Sequence, residues 1–222
     1  MVRAVIFDVD GTLVDTNDLH TASWIEAFRR FGHEVQPETV RRQMGKGGDQ
    51  LMPAVLPRDV FERHGKEIGE YRGDLFMREY LPRACAFPEV PALLRRVRAA
   101  GQKVVLASSS SAAEVERYKE IAGIAGLTDA ETTKDDAERS KPSPDIFRAA
   151  LGRIAPIGPE EAVVVGDSPF DAEAAAKAGL RAVGLLCGGF PEDALRAAGF
   201  VALYRDPADL LANYERSPLA PG

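Results

Sequence analysis

The stretch FDVDGTLVD, residues 7–15, sets two carboxylates two positions apart where a short apolar run ends, with a glycine directly behind them. The run that leads into it, VRAVIF, has the β-branched and apolar character of a buried strand. In a strand continuing to Asp10, alternation puts Asp8 and Asp10 on one side and Val9 on the other. Gly11 then lets the chain turn sharply. Asp10-Gly11 also reads as an ordinary turn with Asp8 as a cap, so the purpose of the two acids depends on what the rest of the chain brings to them.

Further along, β-branched runs at residues 103–107, 162–165 and 182–186 alternate with helical patterns, and weaker strand candidates lie at 128–132 and, as an edge, 200–203. Residues 90–100 carry Leu93, Leu94 and Val97 at helical spacing and stop at Gly101, and residues 171–178 repeat that grammar before Gly179. Such alternation predicts parallel βαβ units. Between the first two strands, residues 16–87 show helical patterns and no convincing β run: 19–31 with Leu19, Trp24, Ala27, Phe28 and Phe31 on one face, then 37–44 and 58–80. The expected fold is therefore α/β, a Rossmann-like doubly wound parallel sheet built by residues 1–15 and 86–222 with an inserted all-helical cap over residues 16–85. The insert would sit over the C-terminal edge of the sheet, where open α/β sheets bind ligands. The final SPLAPG reads as a frayed tail.

Composition narrows the class. With 222 residues, 45 % hydrophobic and 28 % charged, the chain can bury a substantial core, which argues against disorder. Its 28 basic and 34 acidic side chains leave a net charge of −6, which weighs against a nucleic-acid or anionic-membrane partner. The apolar run at residues 2–7 is interrupted by Arg3 and is too short for a signal core or a membrane span. Cys85 and Cys187 lie far apart with no CxxC spacing, and are expected as buried thiols in a reducing cytoplasm.

Three more motifs stand at strand ends. LASSS, residues 106–110, closes a strand in hydroxyls that either cap the following helix or cradle a phosphate with its amides. KPSPDIF, residues 141–147, holds Lys141 beside two prolines, which suits point-charge recognition of a phosphate better than a freely solvated lysine would. In VVVGDSPFD, residues 163–171, Asp167 ends a strand and Asp171 opens a helix. The helix dipole accounts for Asp171 but leaves Asp167 unexplained. Parallel strands bring these ends to one edge, where four carboxylates would repel strongly unless a hard divalent cation joined them. Carboxylates for Mg²⁺ and a lysine for phosphate indicate phosphoryl transfer.

DVDGT (residues 8–12), Ser108 in LASSS, Lys141 in KPSPDIF and GDSPFD (residues 166–171), in that order, resemble the haloacid dehalogenase-like superfamily, specifically its phosphatases with a small helical cap after the first strand. The resemblance implies Asp8 as nucleophile through an aspartyl-phosphate and Asp10 as general acid and base. It implies Mg²⁺ held by the Asp8 carboxylate, the Asp10 backbone carbonyl and Asp167, with Asp171 orienting a metal-bound water or Lys141. Ser108, Ser109 and Lys141 would hold the phosphoryl oxygens. Thr16 would lie at the cap hinge, with His20 and Lys46 as candidates for substrate choice. The expected substrate is a small phosphorylated metabolite, phosphoglycolate or a sugar phosphate, and the expected assembly a monomer or homodimer. Val55, Leu56, Val60 and Phe61 could serve a dimer contact or fill the cap's own core. DTNDLHTASW also suits a sugar phosphomutase of the β-phosphoglucomutase type. Gly48, where its cap loop would carry an arginine, and Gly166-Asp167 in place of Glu-Asp favour a phosphatase. Asp10 disfavours a dehalogenase, and the complete motif set disfavours a non-catalytic binding protein.

Overall fold

The computed structural model describes residues 1–221. The strands are β1 (Ala4–Phe7), β2 (Val14–Asp15), β3 (Cys85–Ala86), β4 (Lys103–Ala107), β5 (Ala130–Thr132), β6 (Ala162–Gly166), β7 (Arg181–Leu185) and β8 (Ala202–Tyr204). Six of them form one parallel sheet in the order β5-β4-β1-β6-β7-β8, a Rossmann-like α/β arrangement. The chain leaves β1 toward β4 on one side and later returns to β6 on the other. The crevice this reversal opens lies at the carboxyl end of β1, where FDVD emerges.

Period-2 alternation sorts the strand residues onto two faces. Val5, Phe7, Val104, Leu106, Val163 and Val165 face one core. Ala4, Ile6, Val105, Ala107, Ala162 and Val164 face the other. Because both faces are covered by helices, the strands read as continuous apolar runs, as buried parallel strands do.

Between β2 and β3 lie α1 (Asn17–Arg30), α2 (Pro37–Arg41), α3 (Gly48–Val55) and α4 (Arg58–Leu75), and α4 widens into a π-helical turn at Phe76–Tyr80. These helices share a core of their own, including Trp24, Phe28, Leu51, Met52 and Ile68. Leu56 and Val60 are buried in it, and Val55 and Phe61 pack against it, so these four residues fill the helical layer from inside. Helix α3 begins at Gly48, inside the glycine-rich loop expected from the sequence, and α2 is shorter than the expected 37–44.

Three expectations are corrected. The stretch expected to be without strands ends in β3, which pairs antiparallel with β2, Val14 opposite Ala86 and Asp15 opposite Cys85. Neither cysteine is fully buried: Cys85 is exposed on that two-residue ribbon, and Cys187 is partly buried. The C-terminal segment is anchored rather than frayed through Pro221, and Gly222 lies outside the described residues. Leu219 is fully buried, its carbonyl accepts a 2.6 Å hydrogen bond from Gln102 Nε2, and the same amide donates to Val2 O at 3.0 Å. Tyr214 Oη donates to the side-chain oxygen Oε1 of Gln102. Gln102→Ala strands these buried partners and is expected to cost about 2 kcal/mol; a urea midpoint equal to wild type would show that the tail is held by Leu219 packing alone.

Candidate active site

The carboxylate cluster is made by strand ends. The Asp8 N–H donates to Val165 O at 2.9 Å, so β1–β6 pairing runs one residue past Phe7 and sets Asp8 beside the exit that carries Asp167. Gly11, at φ +74°, makes the turn behind them; a Cβ there would overlap both Asn17 Nδ2 and the Asp167 carboxylate. Asp8, Asp167 and Asp171 are buried and each offers an oxygen within 4.8 Å of the other two. Lys141, also buried, donates to Asp8 Oδ1 at 2.5 Å and Asp171 Oδ1 at 2.8 Å. Thr12 Oγ1 donates to Asp167 Oδ1 at 3.0 Å, and Asn17 Nδ2 to Asp167 Oδ2 at 2.9 Å. Asp171 also caps its helix, Pro169–Lys177, accepting from Ser168 N and Oγ at 3.0 and 2.6 Å. Asp171 thus caps its helix with one oxygen and meets Lys141 with the other.

One ammonium among three carboxylates leaves an excess of negative charge away from water. Burial pushes the Asp8 carboxyl well up; Lys141 pulls it back, while Asp171, Asp167 and Asp10 push it further. Burial and then Asp171 push Asp167 up to about 7. Burial works against the Lys141 ammonium, but Asp171 and Asp8 more than restore it and hold it charged above the ordinary lysine range. An all-oxygen donor set with surplus negative charge suits a hard divalent cation such as Mg²⁺.

The Asp10 side chain turns toward the helical layer. Its Oδ1 accepts from Thr16 Oγ1 at 2.8 Å and lies 2.6 Å from His20 Nε2; its Oδ2 accepts from Ser110 Oγ at 2.9 Å and from Ser108 Oγ at 3.4 Å. Arg72 donates to His20 Nδ1, and a guanidinium can only donate, so the histidine hydrogen belongs on Nε2, facing Asp10. His20 stacks on Phe76 of the π-helical turn, ring centroids 4.1 Å apart. Burial alone would raise Asp10; the nearness and hydrogen bond of His20, with those of Thr16 and Tyr118, outweigh it and hold the carboxyl well below the usual range.

Thr16 and His20 thus both contact the Asp10 carboxylate. Lys46 does not: its Nζ donates to Gln43 Oε1 at 2.6 Å and lies 4.5 Å from the Phe170 ring centroid, though it lines the same cavity. Ser108 is fully buried and its Oγ accepts from Ser110 N at 3.0 Å; Ser109 lines the cavity. The helical layer touches the sheet domain around this cavity. Arg41 Nη2 donates to Gly188 O at 2.6 Å, Gly47 N donates to Ser140 Oγ at 3.1 Å, and Ser140 N donates to Asp49 Oδ2 at 3.2 Å. Asn17, Ser110, Arg72 and Tyr118 escaped the sequence reading. Asn17 and Ser110 lie within stretches that were read, DTNDLHTASW and LASSS, without being singled out, whereas Arg72 and Tyr118 reach the site only through helix packing.

With this geometry in view, comparison with known proteins becomes specific. Residues 2–179 match the family of haloacid dehalogenase-like hydrolases. A phosphorylated carbohydrates phosphatase from Thermotoga maritima is 32 % identical over 216 residues, covering 95 % of this chain and 97 % of that protein. A phosphoglycolate phosphatase from Aquifex aeolicus is 28 % identical over 185 residues, covering 81 % and 83 %. The crystal structure of a hydrolase from Pseudomonas syringae superposes with a TM-score of 0.89 at 27 % identity, covering 96 % of this chain and 98 % of that one. The chain spans only 18 % of a longer Arabidopsis thaliana relative. The chain belongs to the haloacid dehalogenase-like hydrolases, and it is an enzyme of that family's phosphatase branch. Among the described residues no helix is long and apolar enough to cross a membrane.

Proposed function

We propose that this enzyme is a Mg²⁺-dependent phosphatase of a small phosphate monoester, with residues 16–85 as its cap and Asp8 as its nucleophile. The observation that carries this reading is the buried set of Asp8, Asp167, Asp171 and Lys141 at the open edge of the sheet. Asp8 attacks phosphorus as the bond to the leaving oxygen breaks, and Asp10 gives that oxygen a proton. Water then attacks the aspartyl-phosphate, Asp10 takes its proton, and Asp8 is released with inorganic phosphate. Asp10 rests as a carboxylate; the negative charge of an arriving phosphate raises its proton affinity, so that it takes up from solvent the proton it gives to the leaving oxygen and is again a carboxylate for the second step. Lys141 compensates charge on the phosphoryl oxygens and holds Asp8, and Ser108 and Ser109 frame the phosphoryl pocket. Mg²⁺, held by Asp8, Asp167 and the Asp10 carbonyl with Asp171 beside them, would neutralise the phosphoryl charge. The contacts of Arg41, Gly47 and Asp49 close the cap over the cavity and exclude water during attack.

Phosphate release from phosphoglycolate, hexose phosphates and a nucleotide, with and without Mg²⁺, tests the reading; metal-independent release would overturn the metal assignment. Isomerisation of glucose 1-phosphate with a bisphosphate primer, without hydrolysis, would establish the mutase instead.

The metal leaves a second, non-catalytic signature. Because the Asp167 pKa is raised in the fold, the stability this group contributes is full below the unfolded carboxyl value near 4 and is lost as pH rises through about 7. A bound cation offsets the charge that appears there. Mg²⁺ is therefore expected to raise Tm more at pH 8 than at pH 5.5, where it must displace the Asp167 proton and binds up to about tenfold more weakly per pH unit. An equal Mg²⁺-induced shift at both pH values would remove Asp167 from the ligand set.

A further inference from the structure

The glycine-rich loop of the helical layer, MGKGGD at residues 44–49, lies against the two loops of the sheet domain that deliver Lys141 and Asp167. A Cβ at Gly45, where φ is +94°, would overlap Ser168 Oγ, and one at Gly47 would lie 2.5 Å from Ser140 Oγ. Only bare backbone comes this close. Ser168 follows Asp167 and donates to Asp171 from both its N–H and its hydroxyl. Ser140 directly precedes Lys141.

Asp49 ties this loop to the lysine loop through both carboxylate oxygens. Oδ2 accepts from Ser140 N at 3.2 Å and Oδ1 accepts from Ser140 Oγ, which in turn accepts from Gly47 N at 3.1 Å. Among the described residues, Ser140 N and Oγ find their hydrogen-bond partners only in the helical layer. The sheet domain holds the same turn from its other side: Ser140 O accepts from Ser143 N at 3.0 Å, and Asp145 Oδ2 accepts from Arg139 N at 3.2 Å. Ser140 is 9 % exposed, whereas Asp49 faces solvent, so water replaces the bonds between them when the helical layer lifts. Hydrogen bonds to an ionised acceptor are the stronger kind, and these end one residue before the ammonium that Asp8 and Asp171 share.

We propose that Asp49 is a positioning residue for phosphoryl transfer: by fastening the cap to Ser140, it sets Lys141 firmly against Asp8 when the cap is closed. Closure and charge compensation at the phosphoryl oxygens become one event. An open site, wet and prone to side reactions, then works with a loosely held lysine. This role rests on the phosphatase reading and deepens it, because it gives the cap an action on the phosphoryl group common to all esters and not on the leaving group alone.

The test is steady-state kinetics with Mg²⁺ on a hexose phosphate and on p-nitrophenyl phosphate, alongside Tm, for wild type, Asp49→Ala, Asp49→Asn, Ser140→Ala and the Asp49→Ala/Ser140→Ala double variant. Asp49→Ala is expected to lower kcat by about 10- to 100-fold on both esters, with KM within about threefold and Tm within about 2 °C of wild type. Asp49→Asn, whose side-chain oxygen still accepts from Ser140 N, is expected to restore kcat at least about threefold over Asp49→Ala. In the Ser140→Ala background the loss on removing Asp49 is expected to shrink by about threefold or more, since the two side chains act through one contact. An acid serving only the N-terminus of α3 would lower Tm, spare kcat and be indifferent to Ser140. That pattern, or a loss confined to KM or to one ester, would overturn the role and leave the phosphatase standing. Absence of hydrolysis of any ester by the wild type would overturn both.

Discussion

Asp8→Asn is expected to abolish turnover, by about 10⁵-fold or more, while leaving the protein as thermally stable as wild type or slightly more so. The first half follows from the proposed role of Asp8 as nucleophile, whose loss leaves only binding and charge stabilisation behind. The second half follows from electrostatics. The Asp8 carboxyl is pushed above its ordinary value by burial and by Asp171, Asp167 and Asp10, against the pull of Lys141, so its ionised form is disfavoured in the fold. A neutral amide of the same shape relieves that repulsion, and its oxygen can still accept from Lys141, now 2.5 Å from Asp8 Oδ1. Steady-state rates with a saturating ester, paired with a thermal melt of the same sample, check both halves. A folded Asp8→Asn enzyme retaining even a hundredth of wild-type activity would show that another group carries the phosphoryl transfer.

Lys141→Met should fail in the opposite manner, losing both activity and stability. Its ammonium is the single cation shared by Asp8 and Asp171, all three essentially without solvent contact. Removing one partner of a buried ion pair typically costs about 3–5 kcal/mol, because the remaining charge stays desolvated. Activity should fall by about 10³-fold, since charge on the phosphoryl oxygens loses its fixed compensation. Lowering the pH should recover part of the lost stability, as protonation of Asp8, whose carboxyl burial already pushes well up, removes uncompensated charge. A chemical-denaturation series at pH 8 and pH 5 reads this directly. A stability loss that is the same at both values would mean that Lys141 acts through the packing of its alkyl chain and not through its charge.

Asp8 and Asp167 were legible because each is contiguous with the strand that delivers it. VRAVIF leads into Asp8 and AVVVG into Asp167, and a buried parallel strand announces itself as an apolar run whose end is unmistakable. Ser108, directly after the strand Lys103–Ala107, was legible for the same reason, whereas Lys141 was singled out by Pro142 and Pro144. What escaped was set by elements too short or too distant to leave a pattern. Two residues carry no periodicity, so the β2–β3 pair of Val14–Asp15 with Cys85–Ala86 could not be seen. Arg72 reaches His20 and Glu114 only because α4 crosses α1 and meets the helix Ala112–Ile121, a consequence of packing over a gap of some forty to fifty residues. The anchored C-terminus escaped because one fully buried leucine, Leu219, outweighs the loop-like composition around it.

The β2–β3 ribbon also bears on how the chain folds. It brings the two ends of the helical insertion into adjacent register, Asp15 opposite Cys85. For the sheet, the long insertion then behaves as a closed loop, and loop-closure entropy grows so slowly that each doubling of length adds only about 0.6 kcal/mol. Doubling or halving the insertion between Asp15 and Cys85 would change the entropy of assembling the sheet by only that amount. The helical layer is thus free to vary in size and shape with little penalty to the scaffold beneath it, so new leaving groups can be accommodated there while the strand ends that hold the phosphate stay as they are.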